Sequence, residues 1–329
     1  MRRQKRNKIW MGMLQLLLAG IVLSGCGSAG KENEIHIGYF NNVTHAQALY
    51  MKSQGKLEEM FGEEVSVLWT AFNAGPAEVE ALFSGQIDIG YIGPVPAITA
   101  NVRSNGDITI LSGATMAGAE LVTSKDSGIR SVRDLDGKTV AIPSIGNTQH
   151  LCLLKLLSDH DLKTVENGGT VTVTAVENAD VQNMMELRNI DAALVPEPWG
   201  TTLEAAGAEI VLDYDEVYQE GDYPVAVVVV QNEFLKEHPK QVEQFLKAHQ
   251  EATSYISTHT KEAASVIHEE MESATGKSLG EDVLAEAFSK IVFETQVNEK
   301  AIYEFGEICR EQGFIAKSYD NIFADFPID

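Results

Sequence analysis

The sequence predicts an α/β protein of two lobes, each a mostly parallel sheet flanked by helices. Three observations carry this. Short runs rich in β-branched residues alternate with segments of helical apolar spacing, which is the pattern of strand–helix–strand units. The alternation pauses near residue 115 and restarts near residue 139. The uniformly apolar run YPVAVVVV (223–230) then reads as a strand buried on both faces of a sheet. A chain of 329 residues with 44% hydrophobic content is long enough to divide into two cores.

The first segment is not part of either lobe. Arg2, Arg3, Lys5, Arg6 and Lys8 precede an apolar stretch from Ile9 to Leu23, too short for the roughly 20 residues of a spanning helix, and LSGCGS follows with small residues around one cysteine. This resembles a bacterial lipoprotein signal, with residues 1–25 removed and Cys26 as the lipidated N-terminus. The resemblance implies a diacylglyceryl group on the Cys26 thiol and attachment to a lipid bilayer. GCGSAG (25–30) matches a dinucleotide-binding glycine pattern, but no strand precedes it and no helix follows, so it has no phosphate cradle. Residues 26–33 read as a flexible linker.

The elements then follow in order. Strand-like runs occur at EIHIGYF (34–40), EVSVLWT (64–70), IDIGYIG (87–93) and ITILSGAT (108–115). Helical spacing fills HAQALYMKSQGKLEEMFG and PAEVEALFSG between them. After GAELVTSK come TVAIP (139–143), a helix from Asn147, TVTVTAV (170–176), a helix near Val181 to Arg188, DAALVP (191–196), a helix from Trp199 and AEIVLDY (208–214). Beyond residue 230 the chain reads as helical to Arg310. The economical arrangement assigns 34–115 and 223–329 to one lobe and 116–222 to the other. The chain then crosses twice, near 115–120 and 214–223, and two crossings make a hinge.

Composition narrows the partners. The formal charge is −23, and loss of residues 1–25 removes five basic and no acidic residues to give −28, which excludes nucleic acid. The carboxylates are dispersed, as on a solvated monomer surface. Cys152 and Cys309 stand far apart in helix-like segments and read as buried free thiols.

In open α/β sheets ligands sit beyond the carboxyl ends of the strands, so the turns there carry function. These are NNVTH (41–45), NAGPAE (73–78), GPVPA (93–97), TMAGAE (115–120), SIGNTQH (144–150) and PEPWG (196–200), and none contains Lys, Arg, Cys or Asp. No nucleophile elbow, P-loop, CxxC pair or calcium loop occurs, and HEEME (268–272) places glutamate where a zinc motif needs its second histidine. No cofactor or metal is expected, and the chain does not read as an enzyme. His45 and His150 lie in these turns, where a histidine more often makes a structural hydrogen bond than a catalytic one. The turns do offer oriented dipoles. Ser144 or Asn147 caps a helix, Gly146 permits close approach, and the first-turn amides make a neutral anion cradle.

Over essentially the whole mature chain the residues resemble the substrate-binding lipoproteins of ABC importers in the nitrate, sulfonate and taurine group. The resemblance is carried by IHIGYF, AGPAEVEALFSGQIDIGYIGPVPAITA (74–100), VRDLDGKTVAIPSIGNTQH (132–150), DAALVPEPWGTTLEAAG (191–207) and FLKEHPKQVEQFLKAHQEA (234–252). It implies a periplasmic-binding-protein fold of the second type, whose lobes close on a small anionic or zwitterionic ligand and present it to the transmembrane subunits of a permease. The positions that carry over are Asn41, Asn42, Gly75, Gly93, Pro94, Gly118, Asn147, Thr148, Gln149, Glu197 and Trp199. Pro94 and His150 depart from the polar or acidic residues of many relatives.

An aliphatic sulfonate suits neutral donors because its charge is spread over three oxygens. Taurine and nitrate remain open. Trp199 reads either as a wall for a carbon tail or as a packing anchor, and Glu197, if it faces the ligand, would favour an ammonium-bearing zwitterion. The alternatives are a binder of a thiamine-precursor pyrimidine, with Phe40, Tyr91 and Trp199 as stacking candidates, and an anchored enzyme of that pathway, which would need a reactive His or Cys.

Overall fold

In the computed structural model, which describes residues 33–326 apart from 277, 318 and 320, the β-branched runs form two sheets. The signal segment, Cys26 and the linker to residue 32 lie outside the described residues. The strands are β1 (Glu34–Phe40), β2 (Ser66–Phe72), β3 (Ile89–Ile92), β4 (Ile108–Ala117), β5 (Ala119–Thr123), β6 (Thr139–Ile142), β7 (Thr172–Ala175), β8 (Ala192–Pro196), β9 (Glu209–Leu212), β10 (Pro224–Gln231) and β11 (Ile291–Phe293). One sheet has the order β11-β4-β10-β3-β1-β2 and the other β7-β6-β8-β5-β9.

Both sheets are mixed α/β sheets. β1 and β3 pair in parallel, as do β6 with β7 and β8. β10 lies antiparallel between β3 and β4, and β5 antiparallel between β8 and β9. Strand direction depends on the route of the connection, which composition does not reveal. The continuous apolar run of β10 is explained by this central position, with all residues but Gln231 buried. Its proline stands at the first residue, where a missing ladder donor does least harm.

The helices are α1 (Ala46–Ser53), α2 (Lys56–Phe61), α3 (Gly75–Phe83), α4 (Pro94–Arg103), α5 (Thr148–Asp159), α6 (Val181–Glu186), α7 (Trp199–Ala205), α8 (Asn232–Glu237), α9 (Pro239–Thr258), α10 (Thr260–Thr275), α11 (Glu281–Ser289) and α12 (Glu299–Glu311). Three stretches of the chain differ from the sequence expectation or refine it. The helix expected over 45–62 is two, because Gly55 turns left-handed at φ 56° between α1 and α2. The segment from 230 to Arg310 is not wholly helical: Ile291–Phe293 pairs antiparallel with Thr115–Ala117, extending the first sheet at its edge. Ala119–Thr123, which the sequence reading passed over, is a strand buried at every residue.

The chain leaves the first sheet at Ala117 and enters the second at Ala119, turning at Gly118 with φ 79°. It returns between β9 and β10. At the first turn a Cβ on Gly118 would lie 2.2 Å from Ile291 Cγ2, so the edge strand packs directly on the crossing. Both sheets and their helices belong to one compact unit, Ile35–Asp329.

Candidate functional site

The carboxyl ends of strands from both sheets face one cavity. Phe40 ends β1, Asn73–Gly75 follow β2, Gly93 follows β3, Pro143 follows β6, Asn178 follows β7 and Pro196 ends β8, and all line it. Val225 joins them because β10 runs backwards and starts where its neighbours end. Asn42, Thr44, His45, Pro96 and Asn147–Gln149 complete the wall.

Helix starts dominate this wall. α3 begins at Gly75, α4 at Pro94 behind Gly93, and α5 at Thr148 behind Asn147. The Asn147 carboxamide accepts from the His150 amide at 2.8 Å, which caps α5 as the sequence suggested, in preference to Ser144. Its Nδ2 donates to Gln149 Oε1 at 3.0 Å, leaving the Gln149 NH2 as the donor a ligand would meet. The Thr148 and Gln149 amides have no acceptor within the helix by construction. Thr148 Oγ1 is buried without a hydrogen-bond partner, and a Cβ on Gly93 would stand 2.5 Å from it. The turn before α4 therefore needs glycine for α5 to approach.

Electrostatically the wall is neutral. Among the described residues no Lys, Arg, Asp or Glu side chain lines the cavity, so a bound charge would meet only dipoles there: three helix N-termini and the Asn, Gln and Thr side chains. A single aromatic carbocycle, Phe40, lines it, stacked on His45 with ring centroids 4.4 Å apart. The free volume within it is about 40 Å3. One water's share of liquid volume is about 30 Å3, and ligand pockets usually run to about 300 Å3 or more. The cleft in this conformation is narrow, with Asn73 Nδ2 reaching Glu177 Oε1 at 3.4 Å across its rim. Larger hollows of about 670 and 770 Å3 are open grooves away from these strand ends.

The sequence profile of the NMT1-like family matches residues 28–269, well over half of the chain and all of the cavity wall. The chain belongs to the NMT1-like family. It is 26% identical over 265 residues to a protein of Bacillus subtilis (strain 168) that carries the name of an aliphatic sulfonates-binding protein, covering 77% of this chain and 76% of that one. It is 30% identical over 184 residues to the taurine-binding periplasmic protein of Escherichia coli (strain K12), covering 56% and 55%. Its fold matches the alkanesulfonate-binding protein of Xanthomonas axonopodis pv. citri, solved bound to MOPS, at a TM-score of 0.73 with 20% identity, covering 88% of this chain and 96% of that one. These neighbours have the periplasmic-binding-protein fold that the residue runs imply.

Within this NMT1-like chain the residues singled out from sequence divide into two groups. Asn42, Gly75, Gly93, Asn147, Thr148 and Gln149 line the cavity. Asn41, Pro94, Gly118, Glu197 and Trp199 do not. Asn41 Nδ2 donates to the Met271 carbonyl at 3.3 Å, Pro94 is buried in the first turn of α4, and Gly118 is the crossing. Glu197 is fully buried, held by the Thr201 hydroxyl at 2.9 Å and 3.6 Å from Lys290 Nζ. Trp199 packs on the cluster that contains Val122, Ala193 and Leu203, so the packing-anchor reading describes its surroundings.

His45 and His150 both line or flank the wall as structural acceptors. His45 Nδ1 accepts from the Phe40 amide and His150 Nδ1 from the Gly146 amide, each at 3.1 Å. Burial pushes His45 down to about 3 and His150 down to about 4, so both are neutral at physiological pH. Cys152 and Cys309 are free and buried, and burial pushes both thiols up to about 12, far from the range of a nucleophile. Tyr91, a stacking candidate, is buried in the core with its hydroxyl 2.7 Å from His249 Nδ1. Asn73 and Asn178 were not singled out. Asn73 opens a turn already recognised, while Asn178 follows a short, half-exposed strand whose turn carries no glycine or cap pattern.

Proposed function

We propose that this chain is the extracytoplasmic solute-binding lipoprotein of an ABC importer, which captures a small organic anion and delivers it to the transmembrane subunits of a permease. The observation that carries the reading is a wall of neutral donors and helix N-termini with no charged side chain, placed where two sheets meet. The ligand-binding residues are Asn42, Gly75, Gly93, Asn147, Thr148 and Gln149, with Asn73 and Asn178 added. Residues 34–115 with 223–329 form one lobe and 116–222 the other. The lobes part to admit ligand, and Cys26 holds the protein on the membrane as a monomer. Nothing in the arrangement supports catalysis, since both histidines and both thiols are locked in uncharged structural roles.

A plain aliphatic sulfonate fits this wall better than taurine. Glu197, the carboxylate that would pair with taurine's ammonium, is instead committed to Thr201 and Lys290. A heterocycle would want rings on both faces, and Phe40 supplies one. A thermal-shift series with methanesulfonate, ethanesulfonate, taurine, nitrate and a hydroxymethylpyrimidine tests the reading. The alkanesulfonates raise the melting temperature most, by linkage worth about 2.7 kcal/mol at a hundredfold over Kd. A shift with the pyrimidine alone would overturn it.

A further inference from the structure

A largely buried cluster of charged side chains lies beside the crossing and does not line the cleft. Glu120 sits on β5, Glu197 just beyond β8 and Glu204 on α7, all belonging to the five-stranded sheet or its helix. Lys290 lies between α11 and β11, the edge strand of the six-stranded sheet. Its ammonium is 2.7 Å from Glu120 Oε1, 3.6 Å from Glu197 Oε1 and 3.7 Å from Glu204 Oε2. Glu120 and Glu197 are fully buried and Lys290 is 5% exposed. The ion pairs therefore run from one sheet to the other, where Gly118 is wedged between Ile291 and Glu197.

The cleft is narrow, with about 40 Å3 of free volume, and α7 packs directly on α11 across the same boundary. Glu204 is on α7, beyond the crossing itself, so rotation about residues 117–118 slides its carboxylate past Lys290. Two buried carboxyls share one ammonium here. The remaining groups facing them, Asp213, Glu204 and the Tyr223 hydroxyl, add no positive charge.

We propose that Lys290, Glu120 and Glu197 form a buried polar clasp that fastens the narrow, shut state and comes apart when the cleft opens. The clasp deepens the proposed function, because it sets how readily the cleft opens. Burial first, and then the neighbouring Glu197, push Glu120 up to about 9, against the pull of Lys290. In the parted state water reaches Glu120 and its carboxyl returns towards the ordinary range. Between that range and about pH 9 the shut form holds the extra proton. The shut fraction therefore falls as pH rises through this window and levels off above it.

The test uses no ligand, so its outcome is independent of what the cleft binds. Spin labels go on Ala71→Cys and Ala179→Cys, exposed positions flanking the Asn73–Glu177 contact, in a chain starting at Lys31 that keeps the whole compact unit. Pulsed electron spin resonance then gives the distance distribution at pH 6 and pH 10. The longer distance gains weight at pH 10 in the parent protein. Glu120→Gln, whose amide cannot ionise, removes that gain, and Lys290→Met shows the longer distance already at pH 6. Distances in the parent that do not change with pH, or a Glu120→Gln protein that lengthens as the parent does, would overturn the clasp. The parent's own pH series decides the matter even if a variant does not fold.

Discussion

In the candidate cleft the Thr148 hydroxyl is buried and unpartnered at the start of α5. A charge-assisted hydrogen bond to a sulfonate would satisfy it. Thr148→Ala is expected to weaken alkanesulfonate binding by about 1.5–3 kcal/mol, roughly tenfold or more, while Thr148→Ser recovers most of the loss. Isothermal calorimetry on both variants checks this, and equal affinity for parent and alanine variant would remove Thr148 from the site. A second expectation concerns His249, which burial pushes down to about 4 between the Tyr91 hydroxyl and the Gly113 carbonyl. A base with a lowered folded pKa contributes stability that is complete above the unfolded value, near 6.5, and is lost as pH falls towards the folded one. Relative to His249→Gln, the parent should lose about 2 kcal/mol between pH 6.5 and pH 5 by urea unfolding. The comparison with a variant is needed because Glu78 and Glu120, both pushed up by burial, act in the opposite direction over that range. Asn147, Thr148, Gln149 and Gly93 were readable from sequence because a helix start after a strand has a local signature. Glu197 was not, since its partner Lys290 is far along the chain and only the folded route brings them together.

Among elements, the strand–helix alternation was legible wherever an apolar run ended in a turn residue. What escaped was direction and interruption. β5 is too uniformly buried to alternate, β11 is three residues long, and the antiparallel placement of β10 follows from the second crossing. The crossing at Gly118 gives a test at this scale. Its φ of 79° and the nearness of Ile291 both resist a side chain. Gly118→Ala should destabilise the protein by about 2–4 kcal/mol, from left-handed strain plus overpacking. Ile291→Ala in the same chain should return the packing part and leave the strain. Urea titration of the single and double variants separates them, and additive losses would show that Ile291 is not the obstacle.

For the whole molecule, two lobes and two crossings could be inferred because the strand pattern stops and restarts, and the resemblance to importer-binding lipoproteins extended that inference to a cleft. The sequence could not say that the cleft would be narrow, because its width depends on contacts such as Asn73 with Glu177 between segments with no shared pattern. Among the described residues no helix is long and apolar enough to cross a membrane. If Cys26 carries the anchor, Cys26→Ser should move the protein from the membrane fraction to the soluble extract with its melting temperature unchanged. Full retention in the membrane after that change would count against lipidation there.

On the proposed function the narrow cavity would also act as a clock. With about 40 Å3 of free volume and the rim bridged by Asn73 and Glu177, an occupant much larger than a water would leave only if the sheets parted. Release can then be no faster than opening, whatever the strength of the individual hydrogen bonds. Weakly and moderately bound anions should therefore share one upper limit for dissociation, and discrimination among them should show in how readily each is captured. If the chain is the proposed carrier, its cargo would leave when something else opens the cleft.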